Sequence, residues 1–207
     1  HAPPLWLFQV QHPHIVRLHG VVTDEPKSLS LLMELSPIGS LRAVLSEQPQ
    51  KVVASEKAQL SILTGITLGM AYLHGQQPKP ILHHDLKSDN VLVWPDEVTG
   101  GFRPKLTDFG LATGTGMTTM RTSAGAGNRG HGTAAYKAPE CSDGLYTTAS
   151  EVYACGIIGW ELLTGQRPWS DITEGQMMKA VYLEQKRPPL PADLGASAVL
   201  VPIIERC

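Results

Sequence analysis

Three polar residues between positions 85 and 90 have the types and spacing for chemistry at an oxygen nucleophile. Asp85 supplies a carboxylate, Lys87 an ammonium group and Asn90 a carboxamide, and a short apolar strand at 91–93 follows at once. A carboxylate can orient a hydroxyl and accept its proton, while a cation and oxygen ligands for magnesium stabilise a phosphoryl group in transfer. A polar loop with an asparagine turn is the alternative for this stretch taken alone.

A second acidic position follows a predicted hairpin. Residues 91–94 and 104–106 read as two strands with turn residues between them. A hairpin of this kind would bring Asp108, in the sequence T-D-F-G, back beside Asn90. Both side chains offer hard oxygen atoms, which are the ligands that Mg²⁺ prefers.

A third motif, G-T-A-A-Y-K-A-P-E, occupies residues 132–140. Taken in order, H-x-D-L-K-x-x-N, D-F-G and G-T-x-x-Y-x-A-P-E resemble the catalytic loop, the metal-binding motif and the end of the activation segment of protein kinases. The catalytic loop matches at every position except the second, where His84 stands in place of arginine.

The resemblance implies an α+β fold of the protein-kinase type, with a mostly helical large lobe and a remnant of the small β lobe. It predicts a single partial kinase domain over 1–207. Residues 1–35 would be the small-lobe remnant, 36–40 the hinge and 41–207 the large lobe.

The same resemblance implies a role for each motif residue, with ATP and Mg²⁺ as cofactors. Asp85 is the catalytic base, Lys87 steadies the γ-phosphate, and Asn90 and Asp108 are both catalytic residues and metal ligands. The remaining nucleotide-binding residues that it implies lie at the hinge and beneath the adenine, and they are the gatekeeper Met33, the backbone groups of Glu34 and Ser36, and Leu92.

Two features bear on the acceptor. The sequence D-L-K-S around Lys87 is typical of Ser/Thr kinases and most similar to their tyrosine-kinase-like group. Thr133 in the closing loop agrees, because its hydroxyl is expected to bond Asp85 and Lys87. A docking loop of this type implies a protein substrate and disfavours a small-molecule phosphotransferase, whose loop also reads H-x-D-x-x-x-x-N.

Hydrophobic patterning predicts the elements that position these residues. In the stretch 55–74, the apolar residues Leu63, Ile66, Met70 and Leu73 fall on one face of a helix. The remaining predicted elements are a buried strand at 28–35, a short helix at 41–46, a helix at 147–164 that is apolar nearly all round and hence buried, a helix at 177–184, and one beginning at 199.

Several positions depart from the family pattern. Glu151 stands where the family has the aspartate that braces the catalytic loop, so the brace is in doubt. His84 is a weaker partner for a phosphorylated loop than an arginine fork. No glycine-rich loop or V-A-I-K lysine precedes residue 12, and Pro3 falls near the expected small-lobe glutamate. We therefore expect a fragment of a kinase, with a noncatalytic pseudokinase-like binding module as the alternative.

The predicted activation segment, 111–131, is rich in Gly, Thr and Ser. Residues 125–130 fit G-x-G-x-x-G, but no strand precedes them and no apolar helix follows, so a phosphate-binding loop is rejected in favour of a mobile loop. The exposed phosphorylation candidates in this segment are Thr115, Thr118, Thr119, Thr122 and Ser123.

Composition is that of an ordinary globular chain. Of 207 residues, 42% are hydrophobic and 17% charged, and the net charge of −2 gives no sign of attraction to nucleic acid or membrane. No apolar run predicts membrane insertion. Cys141, Cys155 and Cys207 are too scattered for a disulfide framework, which favours a reducing, cytoplasmic location. Regulatory partners leave no recognisable signal in this sequence.

Overall fold

The structure is a computed structural model that describes residues 9–24, 28–97, 100–108, 133–191 and 199–207. All the residues that were assigned a catalytic, nucleotide-binding or metal-binding role lie within these ranges. The aromatic and glycine residues of the D-F-G motif, the activation segment with its phosphorylation candidates, and the first eight residues lie outside them.

The segment predicted to belong to the small lobe contains an antiparallel ribbon of two strands, β1 (Leu18–Asp24) and β2 (Ser28–Met33). The strand prediction is confirmed, but the prediction that this strand is buried is wrong. Leu31, Leu32 and Met33 are 43%, 55% and 43% exposed. Consecutive strand residues point to opposite faces, so the described residues leave both faces of this two-stranded ribbon without a covering layer at these positions.

Three helices follow the ribbon, α1 (Leu41–Glu47), α2 (Gln50–Val53) and α3 (Glu56–His74). The Ser55 side chain caps α3 by accepting a hydrogen bond from the Ala58 amide, as serine does at helix N-termini. The predicted apolar face of this helix is confirmed, because its four members are all buried: Leu63, Ile66, Met70 and Leu73.

The predicted hairpin is formed by β3 (Val91–Asp96) and β4 (Gly101–Leu106), each longer than the sequence suggested. Val91 pairs with Leu106 at its open end. Just beyond, the Thr107 amide donates to the Asn90 carbonyl at 3.0 Å. The hairpin therefore returns the chain to Asn90, as the sequence predicts.

Two glycines allow α3 to lie against β4. A Cβ atom at Gly65 would collide with the Pro104 ring of β4, and one at Gly69 would lie 3.0 Å from the Leu106 side chain of β4 and 2.8 Å from the His14 carbonyl. Real Cβ atoms essentially never come closer than 3.0 Å, so a larger residue would force neighbouring atoms to shift. These contacts set the hairpin against α3, the longest of the described helices.

The helix α4 (Thr148–Thr164) is buried on almost every side, as its composition predicts, and Val152 is its one large hydrophobic residue with 40% exposure. The helix predicted at 177–184 begins earlier, as α5 (Glu174–Met178), and continues as a π-helical turn over Lys179–Leu183. The last helix, α6 (Val201–Ile204), is shorter than expected. None of the described helices combines the length and the apolar character needed to cross a bilayer.

The core joins α1, α3, α4 and the hairpin. A buried ion pair lies within it, where Arg42 Nη1 of α1 contacts Glu161 Oε1 of α4 at 2.8 Å. The two side chains are 7% and 0% exposed. Burial raises the pKa of the Glu161 carboxyl to about 7, although the Arg42 charge and neighbouring hydroxyl groups favour the charged form.

We expect Arg42→Met to lower the free energy of unfolding by about 3–5 kcal/mol, because a buried carboxylate then has no cation. The double variant Arg42→Met/Glu161→Met should recover most of this loss, since no buried charge is left. Urea denaturation of both variants measures the difference.

The loss of unfolding free energy in Arg42→Met should be larger at pH 8 than at pH 5. The pKa of Glu161 is higher in the folded chain than in the unfolded chain, so the folded chain binds more protons. The free energy of unfolding therefore falls as the pH rises from about 4.5 towards about 7. A single variant within about 0.5 kcal/mol of the parent at pH 8 would contradict a stabilising role for the pair.

Candidate active site

The predicted catalytic residues meet in one hydrogen-bonded group. Lys87 Nζ lies 2.8 Å from Asp85 Oδ2. Asn90 Nδ2 donates to the same oxygen at 3.0 Å and to the Asp85 carbonyl at 2.8 Å. These bonds fix the orientation of the Asp85 carboxylate, whose side chain is 13% exposed and so still reaches the surface.

The closing loop reaches this group through Thr133. Lys87 Nζ donates to Thr133 Oγ1 at 2.9 Å, so the expected contact with Lys87 is present. The expected direct bond from Thr133 to Asp85 is absent from the hydrogen bonds of the described residues, because the Lys87 ammonium group lies between the two side chains. A second link joins the same two loops, where the Ser88 and Tyr136 hydroxyls lie 3.1 Å apart.

Asp108 and Asn90 lie at the open end of the hairpin. Asp108 is exposed and has a left-handed backbone, with φ of 64°, which aspartate tolerates better than most residues. Both hydrogen bonds of the Asn90 side chain use Nδ2, which leaves Oδ1 for another ligand. The two side chains thus offer oxygen atoms suited to Mg²⁺. No cluster of three or more metal-binding His, Cys, Asp or Glu side chains occurs elsewhere in the described ranges.

Two buried contacts hold the backbone of the catalytic loop. The fully buried His83 ring lies with Nε2 2.8 Å from the Thr107 carbonyl, one residue before Asp108. On the other side, the His84 amide donates to Glu151 Oε1 at 2.8 Å. The loop is therefore fixed both to the end of the hairpin that leads to Asp108 and to α4.

The longer glutamate at position 151 does brace the catalytic loop, which resolves the doubt raised by the sequence. Its second oxygen, Oε2, lies 2.7 Å from His74 Nε2 at the end of α3. One carboxylate thus joins α3, α4 and the loop. Sequence reasoning missed His74, whose only signal was its place at the last position of the helix leading into the catalytic loop.

The His84 side chain occupies the position where the family has arginine. Its backbone is left-handed, with φ of 65°, and its ring makes an edge contact with Tyr146 at 5.3 Å between centroids. Burial lowers the pKa of the imidazole, with His83 adding to the effect and the Glu151 carboxylate opposing it. The imidazole therefore favours its neutral form, which is a weaker partner for a phosphate than a guanidinium group.

The predicted hinge lies against the hairpin. The Ser36 hydroxyl donates to the Val93 carbonyl at 2.6 Å and accepts from the amides of Ile38 and Gly39. Among the described residues, no hydrogen bond uses the Ser36 amide or the carbonyl of the neighbouring Glu34. The resemblance assigns the backbones of these two residues to adenine.

The other two residues predicted to contact adenine lie beside the hinge. Met33 is the last residue of β2 and is 43% exposed. Leu92 forms a bridge with Ser40, at the far end of the hinge. Sequence reasoning missed Lys105, which lies directly across the hairpin from Leu92 and contacts the Glu34 carboxylate.

The comparisons with known proteins agree with this geometry. The protein kinase domain family matches residues 6–198, so the chain belongs to the protein kinase family. The chain is 35% identical over 96% of its length to serine/threonine-protein kinase CTR1 of Arabidopsis thaliana. It is 34% identical over 88% of its length to mitogen-activated protein kinase kinase kinase 10 of Mus musculus, and 35% over 89% to mitogen-activated protein kinase kinase kinase 7 of Bos taurus.

The chain spans only part of these relatives, 23% of the plant protein and 19% and 30% of the two mammalian ones. The predicted α+β kinase fold and the tyrosine-kinase-like resemblance are confirmed by the family match and by these relatives. Among these relatives, the plant protein is named a serine/threonine-protein kinase.

We expect Glu151→Gln to destabilise the chain by about 1–3 kcal/mol, because an amide cannot accept from both the His84 amide and the His74 ring. The His84 amide should also exchange its hydrogen faster, which NMR can measure. Glu47→Gln, at an exposed position of α1, is the matched control and should leave both quantities unchanged. Equal behaviour of the two variants would show that Glu151 does not brace the loop.

Proposed function

We propose that this chain carries the catalytic centre for ATP-dependent phosphoryl transfer to Ser and Thr hydroxyls of protein substrates. The observation that carries the proposal is the group of Asp85, Lys87, Asn90 and Thr133, joined by hydrogen bonds of 2.8–3.0 Å. Pre-organised polar groups of this kind reduce the reorganisation that a reaction requires.

Each residue of the group has a distinct task in the proposal. Asp85 orients the substrate hydroxyl and accepts its proton, and the Lys87 and Asn90 hydrogen bonds hold its carboxylate for this step. Lys87 also places a positive charge where negative charge develops during transfer. Bound ATP with Mg²⁺ would supply the phosphoryl group, and Asn90 Oδ1 and the Asp108 carboxylate would hold the metal.

The nucleotide base would lie at the hinge, residues 36–40, and the strand before it. The carbonyl of Glu34 and the amide of Ser36 suit the donor and acceptor edge of adenine. Leu92 would lie beneath the ring and Met33 behind it. In this division the residues up to 35 belong to the small lobe and those from 41 onward to the large lobe.

The choice of Ser/Thr acceptors has two supports. The first is the Lys87–Thr133 hydrogen bond, which brings the closing loop to the catalytic loop beside the reacting hydroxyl. The second is the set of relatives, one of which is a serine/threonine-protein kinase of Arabidopsis thaliana. The free thiols of Cys141, Cys155 and Cys207 suit a reducing compartment such as the cytoplasm.

The decisive variant is Asp85→Asn, which keeps the shape of the side chain and removes its basicity. We expect transfer to a generic Ser/Thr protein to fall by a factor of about 10² or more, in line with the loss of a general base. The affinity for MgATP should stay within about twofold, because Asp85 is not a ligand of the metal in this proposal. Asp89→Asn is the matched control, because Asp89 is 41% exposed and contacts only Arg167 at 3.9 Å among the salt bridges of the described residues.

The outcome separates three functions. Transfer to proteins that Asp85→Asn abolishes and Asp89→Asn preserves supports the proposal. Nucleotide binding without transfer by the parent protein would establish a noncatalytic binding module instead. Transfer to small alcohols in preference to proteins would establish a small-molecule phosphotransferase.

The His84 ring leads to a prediction about regulation. Because its neutral form is a weaker partner for a phosphorylated activation segment than a guanidinium group, phosphatase treatment should leave the transfer rate within about twofold. The variant His84→Arg supplies the missing guanidinium and should make the rate sensitive to phosphatase. A large loss of activity in the phosphatase-treated parent would overturn this prediction.

A further inference from the structure

A second ion pair, outside the catalytic group, joins the hinge region to the hairpin. Lys105 Nζ lies 2.7 Å from both carboxylate oxygens of Glu34. The same carboxylate accepts from the Arg17 amide at 2.8 Å. The ammonium group also lies 4.8 Å from the centre of the Trp94 ring, in the geometry of a cation–π contact. Four groups therefore fix one another.

Each of the two charged residues adjoins residues that belong to the proposed nucleotide site. Glu34 contributes the backbone carbonyl assigned to adenine, and it follows the gatekeeper Met33 directly. Lys105 lies on β4, three positions before Asp108, and pairs across the hairpin with Leu92. Residues paired in this way project from the same face of a sheet, so Lys105 and Leu92 lie side by side.

The ion pair of Lys105 and Glu34 is positioned to contribute to the stability of the fold. The side chains of Lys105 and Glu34 are 17% and 22% exposed, so water screens them only in part. Burial alone would raise the pKa of Glu34, but the hydrogen bonds from Lys105 and the Arg17 amide, together with the Lys105 charge, lower it below its ordinary value. Charge-assisted bonds with two contacts are among the stronger ones in proteins.

Other bonds tie the hinge to the hairpin only further along. The Ser36 hydroxyl donates to Val93, and the Val93 amide donates to the Gly39 carbonyl at 2.9 Å. These contacts fix the end of the hinge that leads into α1. Glu34, two residues before the hinge, is held to the hairpin through its side chain by Lys105.

We propose that Lys105 is a positioning residue for the nucleotide. By holding Glu34, it sets the separation between the hinge backbone and the metal-binding pair of Asn90 and Asp108. A nucleotide can then engage the adenine edge and the metal site at the same time. This inference rests on the proposed function, since it assumes that ATP and Mg²⁺ bind where that function places them.

The test compares two ligands on the purified chain. Adenosine needs only the hinge, whereas MgATP needs the hinge and the metal site together. We expect Lys105→Met to weaken MgATP binding by about tenfold, the loss expected for one charge-assisted contact. Adenosine binding, followed by NMR, should change by less than about twofold, because adenosine does not span the two sites.

Two further variants complete the design. Lys105→Arg retains a cation that can reach both Glu34 oxygens, so it should restore MgATP binding to within about threefold of the parent. Arg103→Met removes another cation from the same hairpin, in a 48% exposed side chain 3.6 Å from Asp96, and should change neither affinity. Hydrogen exchange supplies a readout that is independent of ligands, with faster exchange expected in Lys105→Met alone at the Glu34 amide, which donates to the Arg17 carbonyl at 3.1 Å.

The possible outcomes are distinguishable. Equal weakening of adenosine binding and MgATP binding in Lys105→Met would show that Lys105 only stabilises the hinge. A Lys105→Met chain that matches the Arg103→Met chain in both ligand affinity and hydrogen exchange would likewise overturn the inference. Either result leaves the proposed function intact if the parent chain transfers phosphate. A parent chain that binds neither ligand would overturn both the proposed function and this inference.

Discussion

The Glu151 carboxylate is the contact on which the catalytic loop depends. The loop is irregular, so it has no ladder of backbone hydrogen bonds to fix its shape, and its reactive side chains are only as well placed as its anchors. Glu151 lies in the first turn of the buried helix α4 and accepts from both His84 and His74. Through this carboxylate, the packing of α3 and α4 determines where the catalytic loop, and with it Asp85, lies.

The rest of the site adds two further constraints to that anchor. The β3–β4 hairpin returns the chain so that Asp108 lies beside Asn90, and α3 holds the hairpin in place through the close approach at Gly65 and Gly69. The Lys87–Thr133 bond then ties in the closing loop. Each constraint is a buried or half-buried polar contact supported by the hydrophobic core, so the geometry of the site follows from the packing of the large lobe.

Local sequence predicted much of this arrangement because the chemistry lies in short motifs. Asp85, Lys87 and Asn90 are close in sequence, and the turn residues of the hairpin predicted where Asp108 returns. The errors concern long-range packing: the burial of β2 depends on what covers it, and the bonds from Lys105 to Glu34 and from Arg42 to Glu161 join residues far apart in the chain. The π-helical turn after α5 has no hydrophobic pattern that distinguishes it from an ordinary helix.

The proposed nucleotide site has two halves, the hinge and the Asn90–Asp108 pair. The most direct test is the affinity of the purified chain for ATP as a function of Mg²⁺ concentration, measured for the parent and for Asp108→Asn. We predict that Mg²⁺ tightens ATP binding to the parent and that Asp108→Asn removes most of this gain. ATP binding that does not respond to Mg²⁺, or the same response in both proteins, would contradict the account.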